Sequence, residues 1–341
     1  MVQYIETDTI SATLRAKAID VPGRRLLVTD FRGSLQAQDL TEPPNCDGIG
    51  RIHRFRRLTG DTWPENPLPI EPATRALKLR DATDLRVQVF QNAVCNWRCW
   101  YCFVDFALLA ANPRHAAMVS VTELVDRYLA EPDRAPVIDL TGGQPDLVPE
   151  WVPWMMRELR ARGLEQSVYL WSDDNLSNDY FWRFLDDDDE DRELIAAYPS
   201  YGKVGCFKGY NASSFAFNTR AHPALFDRQF ELMGRLLSLG LDQYAYVTLT
   251  SPSVENIRED MARFFERLQL LDERLPLRTV PLKIQQFTPT QSRRLPKLEE
   301  TMMNQEIAIE AWQNELEQRF SSEDRARNVT EVPLLHRTRR S

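Results

Sequence analysis

Three cysteines, Cys95, Cys99 and Cys102, fall within eight residues in the segment VCNWRCWYCFVD, with C-x3-C-x2-C spacing. Thiolates so spaced on one loop bind metal. Three of them can hold three irons of a cubane cluster and leave the fourth iron without a protein ligand, whereas a structural zinc ion normally takes four protein ligands. Zinc would need a distant fourth ligand, for which Cys46, His53, His115 and Cys206 are the candidates. The chain has five cysteines, an odd number with three crowded together, which suits metal binding in a reducing compartment better than a disulfide framework. Trp97, Trp100, Tyr101 and Phe103 suit a loop that keeps water away from a redox centre.

The run LRVQVF just upstream reads as a strand, so the cysteine loop sits at the C-terminal end of the first strand of a parallel array, where barrels of this kind carry their chemistry. The loop resembles the cluster motif of the radical S-adenosylmethionine superfamily, including the aromatic residue, here Tyr101, before the last cysteine. The resemblance implies that Cys95, Cys99 and Cys102 ligate one 4Fe-4S cluster and that Tyr101 neighbours the adenine of S-adenosylmethionine. It implies reductive cleavage of S-adenosylmethionine to a 5′-deoxyadenosyl radical, which abstracts hydrogen from a second substrate. A flavodoxin- or ferredoxin-type electron donor is implied as well.

A second motif points the same way. In VIDLTGGQPDLVPEW, Gly142 and Gly143 end the second predicted strand and Gln144 and Pro145 follow, where the superfamily's Gly-Gly-Glu-Pro stretch receives the methionine amino group. Gln144 replaces the acid and retains an amide oxygen that can accept a hydrogen bond, but brings no charge. The turns WSDDN and GCFKGYN resemble those of glycyl-radical-enzyme activases, and the activase and MoaA-like branch is the nearest at motif level. That match implies Asp173 and Asn175 near the ribose or methionine carboxylate, and Lys208 neutralising that carboxylate. Those activases carry an aspartate associated with a monovalent cation two residues before the lysine, and here Cys206 stands in its place.

The elements that must position these residues follow from periodicity. LRVQVF, PVIDLT, SVYLWS, KVGCFK, YAYVTLT and LKIQQF read as strands, and the segments between them read as helices. Ser120 and Glu123 form a capping-box pattern before Leu124, Val125, Tyr128 and Leu129. Ile257, Met261, Phe264, Phe265 and Leu268 recur at helical spacing, as do Leu225, Phe226, Phe230, Met233 and Leu237. The expected fold is α/β, a partial (β/α)6 TIM-like barrel over residues 83–290. An irregular, Pro-rich N-terminal extension, 1–82, packs on it, and a C-terminal helical extension, 291–341, follows. In that last segment Ile307, Ala308, Ala311, Trp312 and Leu316 predict a helix and the closing HRTRRS a frayed tail. The acidic run Asp186 to Asp191 reads as a solvated helix end.

Bulk properties narrow the partners. Of 341 residues, 43% are hydrophobic and 27% charged, and no apolar run approaches the roughly 18 residues that span a membrane. A net charge of −8 argues against a broad nucleic-acid surface. The N-terminus carries no secretory pattern, so the expected location is the cytoplasm. Three functions stay open: an oxidoreductase-like radical enzyme acting on a small molecule or nucleotide, an activase generating a radical on a partner protein, and a non-catalytic iron-sulfur or zinc protein.

Overall fold

The computed structural model describes residues 3–60, 63–80, 83–291, 293 and 297–335. Ten strands occur in chain order: β1 Ile19–Asp20, β2 Arg25–Thr29, β3 Gly50–Arg56, β4 Asp84–Phe90, β5 Ala116–Ser120, β6 Val137–Leu140, β7 Tyr169–Asp174, β8 Tyr201–Phe207, β9 Gln243–Thr248 and β10 Thr279–Leu282. Seven of them form one sheet in the order β10-β9-β8-β7-β6-β4-β3, and β1, β2 and β5 form a second, small sheet. In the large sheet β4, β6, β7, β8, β9 and β10 are parallel, each beside the next in sequence. Helices such as Val121–Ala130, Trp151–Ala161, Phe226–Ser238 and Ile257–Leu271 make the crossovers. A run of such connections of one hand stacks the helices on one face of the sheet and leaves the other concave.

Alternation along the strands divides the core in two. Ile138, Leu140, Leu170, Phe207, Ala245 and Val247 face the crossover helices. Leu85, Val87, Val89, Val137, Trp171, Val204, Tyr244 and Tyr246 face inward, where Leu68, Ile70 and Ala73 pack on them. The capping box forms as the spacing predicts, with Ser120 Oγ accepting from Glu123 N. The apolar stripe of the helix Ile257–Leu271 is buried at every predicted position.

Two expectations need correction. The sixth strand is Thr279–Leu282, upstream of LKIQQF. Only Ile284 in the later run is buried, and its N–H goes to Gln305 Oε1 at 2.7 Å instead of to a ladder. Pro281, which lacks an N–H, is tolerated because β10 is an edge strand. Nor is the N-terminal stretch irregular. It forms helices Thr7–Ala18 and Ile70–Leu77, strands β1 and β2, and β3, which pairs antiparallel with β4 and so extends the main sheet. Its order comes from burial of Leu14, Leu26, Val28, Phe31 and Ile52 against the rest of the chain, which local composition does not reveal.

The N-terminal stretch also spans the opening between the edge strands β3 and β10. Trp63 Nε1 donates to Pro281 O at 2.9 Å, Lys283 lies 5.4 Å from the centre of the Trp63 ring, and Thr288 Oγ1 donates to Asp39 Oδ1 at 2.7 Å. On the outside, the helix Leu298–Arg319 lays Trp312 on Phe265, with ring centres 4.4 Å apart. The acidic run is the junction of two helices, where Asp188 caps the second and only Asp191 is buried, against Arg157. The HRTRRS tail lies outside the described residues. Among the described residues no helix is long and apolar enough to cross a membrane.

Candidate functional site

Beyond β4 the chain enters the cysteine loop, whose backbone is tied down on several sides. Cys95 N donates to Leu109 O at 3.1 Å, and Cys102 N to Cys99 O at 3.0 Å. Trp97 Nε1 reaches Thr7 Oγ1 at 3.1 Å, and Trp100 Nε1 reaches Asn218 Oδ1 at 3.0 Å. The Arg98 guanidinium donates to the carbonyls of Cys95 and Trp97 at 2.6 and 2.8 Å. Arg293, from beyond β10, donates to the carbonyls of Trp100 at 3.0 Å and Val104 at 2.6 Å, and also to that of Cys102. Nothing in the sequence near Arg293 marks it, because its partners are backbone atoms 189–193 positions away.

All five cysteines are free. Burial pushes the thiols of Cys95, Cys99 and Cys102 up, Cys99 to about 12, and the Lys208 ammonium opposes this in all three. Charge on Cys95 or Cys102 would raise Cys99 further, so the three thiols share one neighbourhood. Asn175 Nδ2 points at Cys95 Sγ, 3.9 Å away. Among the described residues no three His, Cys, Asp or Glu side chains are gathered so as to hold a single metal ion. This donor set fits a multi-iron group better than zinc. A cluster spreads three thiolates over three irons, whereas zinc needs its ligands to converge within about 2.3 Å of one point. Cys46 is buried on the other side of the sheet, its N–H on Glu131 Oε1 at 2.7 Å. Cys206 faces inward as a small buried side chain, its thiol pushed up to about 12 by burial.

The turn after β6 packs directly on this loop. Gly142 and Gly143 have φ of 83° and 73°, a region open to glycine and costly for other residues. A Cβ on Gly143 would run into the carbonyl oxygens of Asn92 and Val94, and one on Gly142 into the Gln91 side chain. Gln144 N donates to Val94 O at 2.8 Å, and Asn92 Nδ2 donates to Gln144 O at 2.8 Å. The side chain of Gln144 departs from the expected role of facing a ligand ammonium. It is 1% exposed, its Oε1 accepts from Asn175 N at 2.9 Å, and its Nε2 donates to Asp174 Oδ1 at 2.8 Å. A backbone N–H only donates, so the amide can be oriented no other way.

Asp173 and Asn175 follow on β7. Thr141 Oγ1 donates to Asp173 Oδ2 at 2.6 Å, while burial holds the Asp173 carboxyl above the ordinary carboxylate range. Asn175 Nδ2 also donates to Asn96 Oδ1 at 3.1 Å, and Asn175 Oδ1 is buried without a partner. Lys208, just past β8, is half-buried. Its backbone N–H goes to Gln229 Oε1 at 2.8 Å, and its carbonyl accepts from Asn218 Nδ2 at 2.8 Å, the residue that also holds Trp100. Burial opposes charge on Lys208, and Cys206, Tyr101, Cys99 and Asp173 together outweigh it, so the ammonium is favoured. Tyr101 OH accepts from Thr248 Oγ1 on β9 at 3.0 Å. Every predicted site residue thus lies at the C-terminal end of the parallel strands or on the loop that follows β4, and hydrogen bonds link Gln144, Asp174, Asn175 and Asn96 there. Two cavities, of about 380 and 450 Å³, open at the opposite end. Tyr169, Tyr201 and Asp242 line the first, and Thr279, Val280 and Arg57 line the second.

No family model and no curated protein sequence matches the chain. Among solved structures it is similar to Streptococcus suis SuiB bound to S-adenosylmethionine, at 17% identity and a TM-score of 0.36, covering 53% of this chain and 37% of that one. It is similar to SuiB bound to the precursor peptide SuiA at 15% identity and a TM-score of 0.35, covering 53% and 36%. The chain therefore matches little more than a third of the length of those proteins.

Proposed function

We propose that this chain is a radical S-adenosylmethionine enzyme, with Cys95, Cys99 and Cys102 holding one 4Fe-4S cluster. The observation that carries the reading is that three free thiols lie on one loop at the C-terminal end of β4, beside an ammonium and a Gly-Gly turn, and that among the described residues no further Cys, His, Asp or Glu joins them in a closed metal site. A cluster bound there would supply, from a flavodoxin- or ferredoxin-type donor, the single electron that cleaves S-adenosylmethionine.

The remaining tasks fall to the chain's own residues. Lys208 offers a point charge to the methionine carboxylate. The carbonyls of Gly142 and Gly143 can approach the methionine ammonium closely because neither glycine has a side chain, and Gln144 acts through Asp174 and Asn175 to hold that turn. Asp173 and Asn175 Oδ1 would accept from the ribose, and Tyr101, held by Thr248, would flank the adenine. Arg293 and Arg98 tie down the loop through its backbone carbonyls.

A small-molecule second substrate is favoured over a partner protein. Asp39 and Trp63, bonded to Thr288 and Pro281, bridge the side of the half-barrel between β3 and β10, and Leu68, Ile70 and Ala73 fill its lower end, so the interior suits an enclosed molecule better than an inserted loop. Anaerobic incubation of cluster-loaded protein with S-adenosylmethionine and reductant, followed by mass spectrometry, should give 5′-deoxyadenosine. A full complement of iron with no 5′-deoxyadenosine above the protein-free control would refute the proposal.

A further inference from the structure

The concave face carries two buried ionisable side chains that the S-adenosylmethionine contacts above do not use. Arg51 on β3 is 2% exposed and Asp139 on β6 is 0% exposed. Register places Arg51 opposite Val89 on β4, and Val89 opposite Asp139, so all three project from the same face. Arg51 Nε and both Asp139 carboxylate oxygens are buried without a hydrogen-bond partner, so the two groups do not touch each other. The Arg51 guanidinium lies 5.2 Å from the centre of the Phe103 ring and 5.9 Å from that of Phe31, contacts that orient it without satisfying its N–H groups. Burial lowers the Arg51 pKa to about 10 and raises that of Asp139; nearby Asp173 raises Asp139 further and joins Asp139 in supporting the Arg51 cation, so the three groups share one space. Two residues along β3, His53 faces the same space and is held neutral by burial and by Arg51.

Native folds rarely leave buried polar groups unsatisfied, and here a guanidinium and a carboxyl on one face do not meet, each covered by side chains that a ligand would displace on entering. Asp139 precedes Thr141 by two residues, so the pair lies about 7 Å deeper in the half-barrel than the Thr141–Asp173 contact. Beneath it, Val87, Val137, Trp171 and Leu68 form an apolar floor.

We propose that Arg51 and Asp139 bind the two charged groups of the second substrate, a small molecule with a free α-amino-carboxylate end, its carboxylate on Arg51 and its ammonium on Asp139. A planar guanidinium takes a carboxylate through two parallel hydrogen bonds. An ammonium beside Asp139 would favour its ionised form, so a zwitterion gives each group a partner of opposite charge and adds no net charge, whereas a simple anion would leave Asp139 without a donor. As a statement about the second substrate this rests on the proposed function, but the binding itself does not require the cluster.

The test uses the full chain and proteinogenic L-amino acids as minimal probes, each compared with its N-acetylated and decarboxylated counterparts by saturation-transfer NMR. One or more free amino acids should bind and their blocked counterparts should not. Arg51→Met and Asp139→Asn should each weaken the affinity about ten- to a hundredfold, the loss of a charge-assisted hydrogen bond. Arg51→Lys should weaken it less. S-adenosylmethionine carries the same two groups, so it is added as a competitor and should not displace the probe. Asp139→Asn preserves side-chain shape and keeps the test open should Arg51→Met fail to fold. The proposal is overturned if no free amino acid binds, if affinity in Asp139→Asn is unchanged, or if S-adenosylmethionine displaces the probe. Probe binding that persists in protein unable to produce 5′-deoxyadenosine would instead count against the proposed function and support the ligand site.

Discussion

Replacing Gln144 by Glu restores the residue found in the motif that this turn resembles, yet the structure predicts harm. The amide of Gln144 donates to Asp174 and accepts from Asn175 N, at 2.8 and 2.9 Å. A carboxylate at position 144 keeps the acceptor, loses the donor and faces a second carboxyl group. If both ionise, two charges about 4 Å apart cost about 4 kcal/mol at an effective dielectric constant near 20. If the new glutamate protonates instead, its O–H restores the bond to Asp174. Moving an ordinary glutamate pKa of about 4.3 above pH 7 then costs roughly 3.7 kcal/mol. The cheaper route sets the expected loss at 3 to 4 kcal/mol at pH 7, roughly, and about 1 kcal/mol at pH 5. The sign follows from linkage. The new group's pKa is raised on folding, so its penalty is absent below the unfolded pKa and grows as pH rises towards the folded one. Chemical unfolding of Gln144→Glu and wild type at pH 5 and pH 7, under anaerobic conditions, measures both numbers. Equal stability at the two pH values, together with tighter S-adenosylmethionine binding, would show that Gln144 faces the ligand and refute the reasoning.

Replacing any one of Cys95, Cys99 or Cys102 by Ala should abolish the roughly four irons expected per chain on reconstitution. Cys46→Ala and Cys206→Ala should keep them, and iron analysis decides. Lys208→Ala and Lys208→Met should retain the cluster yet bind S-adenosylmethionine about ten- to a hundredfold more weakly, for a lost interaction of about 1.5–3 kcal/mol. Titration followed by the cluster's electron paramagnetic resonance signal reads this, and unchanged affinity in both would remove Lys208 from the site. Arg293→Ala frees the carbonyls of Trp100, Cys102 and Val104, so a chelator should strip iron faster than from wild type. An unchanged rate would mean that the loop holds its shape without the guanidinium.

Local signals in the sequence were enough for the parts of this molecule whose physics is local. Period-2 runs such as LRVQVF and KVGCFK, and the stripe from Ile257 to Leu268, mark strands and a helix because each must bury one face wherever it ends up. The spacing of Cys95, Cys99 and Cys102 puts three free thiols on one loop because residues so close in sequence need no distant partner to meet. The sequence of β10 misled, since LKIQQF has strand-like composition but lies beyond the neighbour with which it would pair.

Long-range pairing decided the rest. No window of sequence shows that residues 50–56 pair with β4, that Arg293 returns to the cysteine loop, or that Arg51 and Asp139 share a face across β4. Gln144 is the plainest case. Its position after Gly142 and Gly143 suggested a ligand contact, but which way an amide points depends on the donors and acceptors brought beside it. Here they come from Asp174 and Asn175, thirty residues on and one strand across. Sequence alone determined that this chain makes a parallel α/β sheet with a thiol-rich loop at one end. Tertiary structure decided which side chains face that loop and which are spent holding it, because contacts between distant segments exist only once the strands have been laid side by side.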